Sequence, residues 1–209
     1  MDKYAYKIGK SLYLNITNRC TNHCTFCVRY KTDLFNNNYS LWLNHEPTFI
    51  ELKDIVSNPK MYKEIVFCGY GEPLSRIDLV VQLARYIKKR GGKVRIDTNG
   101  QANLIHGHNV LPQLRSLVDS MSISLNAQDA ATYDKICHSI YGLAAFPAIL
   151  EFIKQAKKNI KKVTVTAVNL PKVVDLEKCR QITKNLGVDF RVREYYEEEY
   201  PVQEIDIEK

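Results

Sequence analysis

The 209-residue sequence lacks the features that mark membrane and secreted proteins. No apolar run approaches the ~18 residues that a membrane helix requires. Residues 1–7 contain no apolar core of the kind that a signal peptide has. We therefore expect a cytoplasmic protein without a membrane span. Thiols stay reduced in that compartment, so clustered cysteines there bind a metal more often than they form disulfides.

Internal repeats and low-complexity linkers are also absent, and the composition is that of an ordinary globular protein, 45% apolar and 25% charged. The one compositional break comes near the C-terminus. From residue 194 onward the chain has seven acidic residues and one lysine, a net charge of −6. Because the whole chain carries +7, residues 1–193 carry +13. We expect a single domain over residues 1–195 and an acidic tail over 196–209. The basic body leaves nucleic acid open as a partner, although many of its basic residues fall on predicted helix surfaces.

Short β-branched or aliphatic runs alternate with amphipathic patterns along the chain. The runs predict six strands, at 11–16, 64–67, 93–97, 120–125, 162–168 and 188–193. The amphipathic patterns predict helices at 75–90, 145–160 and 174–186, and weaker ones at 48–57, 109–118 and 129–138. This alternation favours parallel βαβ units. Periodicity alone does not separate a doubly wound sheet from a partial barrel.

Three of the six cysteines form a Cys-x3-Cys-x2-Cys cluster at Cys20, Cys24 and Cys27, inside a loop of roughly thirty residues (18–47) without strand or helix pattern. Three thiolates so close in sequence can converge on one soft metal. Iron–sulfur clusters usually take four cysteines, so three leave one iron open, and open metal positions are where chemistry occurs. Zinc is an alternative, with His23 or His45 as a fourth ligand. The remaining cysteines are expected to be small buried residues.

The segment from Cys20 to Cys27, with Phe26 directly before the last cysteine, resembles the signature of the radical S-adenosylmethionine (SAM) superfamily. The resemblance implies that the three cysteines hold a [4Fe-4S] cluster and that SAM chelates its fourth iron. It also implies a partial (β/α)6 TIM-like barrel and an electron donor such as flavodoxin or ferredoxin. The runs 12–20, 67–73 and 190–195 resemble the small TatD-associated radical SAM proteins in particular.

Further motifs extend the resemblance and all follow predicted strands, so they are expected at one edge of the sheet. The turn from Gly69 to Glu72 is similar to the family's Gly-Gly-Glu-Pro motif, which receives the SAM ammonium, with Tyr70 in place of a glycine. The segment at 97–100 resembles a "DTNG" variant that holds the ammonium or a ribose hydroxyl. The resemblance assigns the SAM contacts to Phe26, Gly69, Tyr70, Gly71, Glu72, Asp97, Asn99, Ser124, Asn126 and Asn169.

The implied reaction is reductive cleavage of SAM to a 5′-deoxyadenosyl radical, which abstracts hydrogen from a substrate. Arginines near the same edge suggest an anionic substrate, because a guanidinium pairs with anions in a bidentate manner. The candidate substrate contacts are Arg29, Tyr30, Trp42, His106, His108, Arg191, Arg193 and Tyr195. Two other classes stay open: a non-catalytic sensor of SAM or of the iron–sulfur cluster, and a zinc-binding nucleic-acid module. The latter is disfavoured because aromatic residues do not interleave with the basic runs.

Overall fold

A computed structural model describes residues 2–31, 34–35 and 39–195, and within them seven strands form one sheet. The strands are β1 (Ala5–Ile8), β2 (Ser11–Leu14), β3 (Ile65–Phe67), β4 (Val94–Thr98), β5 (Ser120–Ser124), β6 (Lys162–Val168) and β7 (Asp189–Arg193). Their order in the sheet is their order in the chain, and every pairing from β2 to β7 is parallel. A doubly wound sheet would reverse its order at a switch point. The predicted α/β partial barrel is therefore confirmed as an open, mostly parallel sheet.

The sheet has one strand more than the sequence predicts. β1 pairs antiparallel with β2 through a tight turn in which Gly9 has a φ of 55°. The four-residue run of β1 is too short for its alternation to be recognised without its partner strand. This hairpin adds an antiparallel edge in front of the six predicted parallel strands.

Seven α-helices connect or flank these strands in the described part of the chain. They are α1 (Phe49–Val56), α2 (Ile77–Lys89), α3 (Ala102–His106), α4 (Leu111–Leu114), α5 (Ala130–Cys137), α6 (Ala145–Asn159) and α7 (Leu176–Leu186). The predicted helix at 109–118 was wrong in extent, since only α4 forms there. Arg115 leaves the helical conformation and Ser116 has a φ of 64°, which ends the helix after one turn. None of the helices described is long and apolar enough to cross a membrane.

The two faces of the sheet differ in polarity, and this difference positions the site. Leu14, Phe67 and Ile96 share one face by their register and are fully buried in the core beneath the helices. The opposite face carries Tyr13 and Arg95, whose hydroxyl and guanidinium hydrogen-bond at 2.9 Å. A barrel that encloses polar side chains on its inner face can hold a polar ligand there. The acidic tail expected at 196–209 lies outside the described residues.

Candidate metal and cofactor site

The cysteine loop follows β2 and is fastened to the end of α5. The backbone N–H groups of His23 and Thr25 donate to the carbonyls of Cys137 and Ile136, both at 2.9 Å. Asn22 forms an antiparallel bridge with Ser139 beyond the same helix. The cysteine loop, which has no regular structure of its own, thus gains backbone partners at the end of α5, across the C-terminal ends of the strands. These bonds fix the orientation of the loop and of its thiols.

A buried polar network holds the same loop from within. The side chain of Asn22 donates to the Tyr133 hydroxyl at 2.8 Å, and Gln101 Nε2 donates to both groups, at 2.7 Å to Asn22 and 2.9 Å to Tyr133. The Ser139 hydroxyl completes the network by donating to Gln101 at 3.0 Å. Fully satisfied buried networks of this kind rigidify the segment that they contact.

Two of the three sulfur atoms of the motif have N–H donors directed at them. The N–H of Asn22 lies 3.5 Å from Cys20 Sγ, and Asn99 Nδ2 lies 3.8 Å from the same atom. The N–H of Arg29 is directed at Cys27 and lowers the pKa of that thiol against the larger effect of burial. Donors aimed at sulfur stabilise the thiolate form that a metal binds.

Burial keeps these thiols protonated until a metal displaces the proton. Burial raises the pKa of Cys20 to about 11 and also raises that of Cys27. The pKa of Cys24 lies far above its usual range because its thiol hydrogen-bonds Cys137 and is buried. Thiolate ligation must therefore release protons, as it does in metal sites generally.

In the part of the chain that the structure describes, no three His, Cys, Asp or Glu side chains are already gathered as a metal-binding group. One thiol of the motif, that of Cys24, instead hydrogen-bonds Cys137 at the end of α5. The donor set nevertheless fits an iron–sulfur cluster, because three soft, half-buried ligands lie on one short loop and N–H donors are directed at two of the sulfurs. Neither His23, stacked on Tyr30 with ring centroids 4.1 Å apart, nor His45, 3.7 Å from the Asp2 carboxylate, joins these cysteines.

Arg29 is buried behind the cysteine loop rather than exposed toward a ligand. Its Nη1 donates to the carbonyls of Asn18 and Tyr70, at 3.1 and 3.0 Å, and its Nη2 donates to the carbonyl of Asn22 at 3.1 Å. It also donates to the Tyr30 hydroxyl. These bonds join the loop to the Gly69–Glu72 turn, so the contacts of Arg29 are those of a positioning residue.

The turn from Gly69 to Glu72 requires its glycines. A Cβ at Gly69, where φ is 150°, would lie 2.2 Å from Asn15 Oδ1, and one at Gly71 would lie 2.3 Å from the Thr17 carbonyl oxygen. The N–H of Glu72 donates to the Arg19 carbonyl at 2.7 Å. The turn is thus pressed against the start of the cysteine loop, and glycine permits this approach. Tyr70, between the two glycines, is buried, with its ring 5.4 Å from that of Trp42.

Gly71→Ala is expected to lower the free energy of unfolding by about 3 kcal/mol, because the added methyl overlaps backbone that cannot move without displacing the cysteine loop. Urea unfolding measures this loss. Gly107→Ala is the matched control: it has open space around the new Cβ but a φ of 69°, so it reports backbone strain alone, about 1 kcal/mol. A Gly71→Ala loss no larger than the Gly107→Ala loss would contradict the crowding argument.

Glu72 is the polar centre of the strand ends. It is buried, and its carboxylate accepts from the Thr98 hydroxyl at 2.8 Å, the Asn99 N–H at 2.7 Å and the Leu74 N–H at 3.0 Å. Burial raises its pKa to about 7 against the lowering effect of these donors. The Asn99 side chain in turn donates to Thr21 at 2.9 Å. The "GEP" and "DTNG" segments are thereby connected to each other and to the cysteine loop.

Asp97 lies deeper on the polar face than the other predicted SAM contacts. Both of its oxygens accept from Arg95 Nη1, at 2.5 and 2.7 Å. Burial raises its pKa, and the charges of Arg95, Arg191 and Arg193 oppose the rise. Asp97 pairs with Ser122 of β5, which precedes Ser124 by two residues. Asp97 therefore lies further from the C-terminal strand ends than Ser124 and forms part of the floor of the site.

Ser124 and Asn126 come together with Arg193 of β7. Arg193 Nη2 donates to Asn126 Oδ1 at 2.9 Å and lies 3.4 Å from Ser124 Oγ. Asn126 holds a φ of 59°, a left-handed conformation that Asn adopts more readily than most residues. The three polar side chains thus face one another at the C-terminal ends of β5 and β7.

The remaining predicted contacts are dispersed. His106 hydrogen-bonds the Leu74 carbonyl at 2.8 Å and lines an outer cleft of about 370 Å³, and His108 is exposed and bonds the His106 carbonyl. The Asn169 side chain donates to Glu194 at 3.0 Å. Phe26 packs against the main core. The structure therefore does not bring the two histidines to the cysteine loop.

Sequence reasoning missed the residues that hold the loop: Asn22, Gln101, Tyr133, Ser139 and Cys137. Two of them had a weak signal, since Asn22 lies inside the cysteine motif and Gln101 directly follows the "DTNG" segment. Tyr133 and Cys137 had none, because their role depends on how α5 packs across the barrel mouth.

An open, mostly parallel α/β barrel with three half-buried cysteines on the loop after its first parallel strand is typical of proteins that bind a soft-metal cofactor at the strand ends. The model of the radical SAM superfamily matches residues 14–179, and the chain belongs to that family. It is a radical SAM enzyme, and members of the family use a [4Fe-4S] cluster and SAM. The TatD-associated detail stays a prediction.

The chain is similar to curated proteins with different names. It is 26% identical over 193 residues to a "Putative glycyl-radical enzyme activating enzyme" of Methanocaldococcus jannaschii, covering 87% of this chain and 73% of the relative. It is 30% identical over 195 residues to the tungsten-containing aldehyde ferredoxin oxidoreductase cofactor-modifying protein of Pyrococcus furiosus, covering 86% of this chain and 49% of the relative. Because these names differ, they do not define a substrate.

Solved structures support the fold. Streptococcus suis SuiB bound to S-adenosylmethionine superposes with a TM-score of 0.63 at 16% identity, over 92% of this chain and 41% of SuiB. Methylornithine synthase gives a TM-score of 0.61 at 16% identity, over 91% of this chain and 54% of that one. The chain spans about half or less of these two proteins and of the Pyrococcus relative, so it shares with them the barrel rather than the whole molecule.

Proposed function

We propose that the chain binds a [4Fe-4S] cluster through Cys20, Cys24 and Cys27 and uses it to cleave SAM reductively. The observation that supports this most directly is the half-buried cysteine loop, which is held on both sides and has N–H donors directed at Cys20 and Cys27. When bound, the cluster supplies the electron that converts SAM to methionine and a 5′-deoxyadenosyl radical, which takes hydrogen from the substrate.

The residues of this chain bind and orient the ligands. Glu72 holds the ends of β3 and β4 in register with the loop through its bonds to Thr98 and Asn99. Gly69 and Gly71 let the turn pack against Asn15 and Thr17, and this packing holds the turn's backbone where its carbonyls accept from the SAM amino group. Ser124 and Asn126, oriented by Arg193, present polar atoms from the other side of the site. This function needs no general base, and the electron donor, a flavodoxin or a ferredoxin, is part of the proposal.

Anaerobic reconstitution with iron and sulfide tests the proposal. We expect about four irons per chain and formation of 5′-deoxyadenosine when SAM and dithionite are added. Zinc at one per chain and no iron uptake would refute the proposal and support the zinc module. A stable cluster that yields no 5′-deoxyadenosine under strong reductants would refute catalysis and support a sensor.

A further inference from the structure

Of the residues that could meet a substrate, most already use their polar groups. Arg29 donates to three backbone carbonyls through its two Nη atoms, although its Nε, like that of Arg193, has no hydrogen-bond partner among the described residues. His106 bonds the Leu74 carbonyl, and His108 is exposed and bonds the His106 carbonyl. Two arginines of the last strand, Arg191 and Arg193, remain. They share a face of β7 because they are two residues apart in a strand.

Arg193 is held in place yet keeps one donor unused. Its Nη2 is fixed by Asn126 and Ser124, whereas its Nε is buried and has no hydrogen-bond partner among the described residues. A buried guanidinium N–H without an acceptor is costly, and such groups in native proteins usually mark a place where a ligand or water binds. The side chain is therefore oriented for an acceptor that the protein itself does not provide.

The charges on the polar face leave a positive excess at this point. Arg95 is paired with Glu64 at 3.1 Å and with both oxygens of Asp97. Neither Arg191 nor Arg193 forms an ion pair within the described residues. Asp97 interacts electrostatically with both arginines and offsets part of this excess, so the remaining charge matches a monoanion better than a dianion such as phosphate.

The geometry points to a carboxylate of the substrate as the ligand of Arg193, bound through the free Nε at the mouth of the barrel. β7 is the edge strand and lies four strands from β3, whose end carries the turn proposed for the SAM amino group. Arg193 bonds Asn126, whose Nδ2 lies 3.9 Å from Cys137 Sγ, and the Cys137 carbonyl accepts from His23 of the cysteine loop. A carboxylate held by Arg193 therefore lies on the side of the site where α5 fastens that loop. The substrate class is then a carboxylate-bearing molecule, such as an amino acid, a peptide terminus or an organic acid.

This inference rests on the proposed function only in assigning the bound carboxylate to a substrate. Its test measures binding and does not require turnover. Acetate is the probe, and acetamide is its uncharged analogue. The protein is saturated with SAM, and the Nε–H resonance of Arg193, identified by its loss in Arg193→Lys, is followed during titration. We expect acetate to displace this resonance and acetamide to leave it unchanged.

A second measurement uses the unfolding temperature. Acetate should raise the unfolding temperature of the natural chain and of Arg191→Lys. Acetate binding should weaken about tenfold or more in Arg193→Met, because a charge-assisted hydrogen bond is lost. If Arg193→Met does not fold, Arg193→Lys replaces it in this measurement.

Three results would overturn the inference: displacement of the resonance by SAM alone with no further effect of acetate, an equal effect of acetamide, or no effect of acetate on either measurement. A chain that takes up no iron but binds acetate at Arg193 would refute the proposed function and leave the anion site standing.

Discussion

Cys24→Ser is expected to abolish the iron–sulfur cluster, reducing the iron bound after anaerobic reconstitution from about four per chain to nearly none. Cys24 is the central ligand of the motif, and its backbone carbonyl accepts from the Cys27 N–H at 3.1 Å, so it also shapes the loop between the ligands. A serine hydroxyl is a harder ligand with a much higher pKa than a thiol, and iron–sulfur clusters strongly prefer thiolates. Iron and sulfide analysis, together with the brown colour of the reconstituted protein, measures the effect.

Two other cysteines provide controls for this prediction. Cys179→Ala removes a thiol that is fully buried in α7, away from the motif, and should leave the iron content unchanged. Cys137→Ser removes the thiol that hydrogen-bonds Cys24 and should also retain the cluster, because Cys137 lies outside the motif. Retention of about four irons by Cys24→Ser would contradict the proposed ligand set, and loss of iron in Cys137→Ser would make Cys137 a further ligand.

Glu72→Ala is expected to lower the free energy of unfolding by about 3–5 kcal/mol. The substitution leaves the buried N–H groups of Leu74 and Asn99 and the Thr98 hydroxyl without acceptors and creates a cavity at the junction of two strands. Urea unfolding under anaerobic conditions gives the value. Glu151→Gln, on the exposed side of α6, is the control and should change stability by less than about 0.5 kcal/mol.

The same residue gives stability a pH dependence of definite sign. The folded pKa of Glu72 is about 7, above its ordinary value of 4.5, so between these pH values the folded protein keeps a proton that the unfolded chain releases. Stability must therefore fall as pH rises from 4.5 to 7 and then level off, by an amount on the order of 3 kcal/mol. Glu72→Gln cannot titrate and should lack this component. An identical pH profile for Glu72→Gln and the natural chain would contradict the raised pKa.

The order of strands and helices could be read from the chain because each element carries its own periodicity. The six parallel strands appear within a residue or two of the expected positions, from β2 at Ser11–Leu14 to β7 at Asp189–Arg193. Local patterns failed where a partner decides the structure, as in β1, or where one turn of helix is stopped by its neighbours, as in α4.

The sequence by itself determined which chemistry is available, because three thiols within eight residues, a glycine turn and polar residues after successive strands are properties of the linear chain. Only the tertiary structure decided what each polar group does. It turned Arg29 inward to backbone carbonyls, placed Glu72 among three donors, and left one donor of Arg193 without an acceptor. The physical reason is that hydrogen-bond satisfaction depends on residues far apart in sequence, such as Tyr133 and Asn22, which meet only after the barrel has formed.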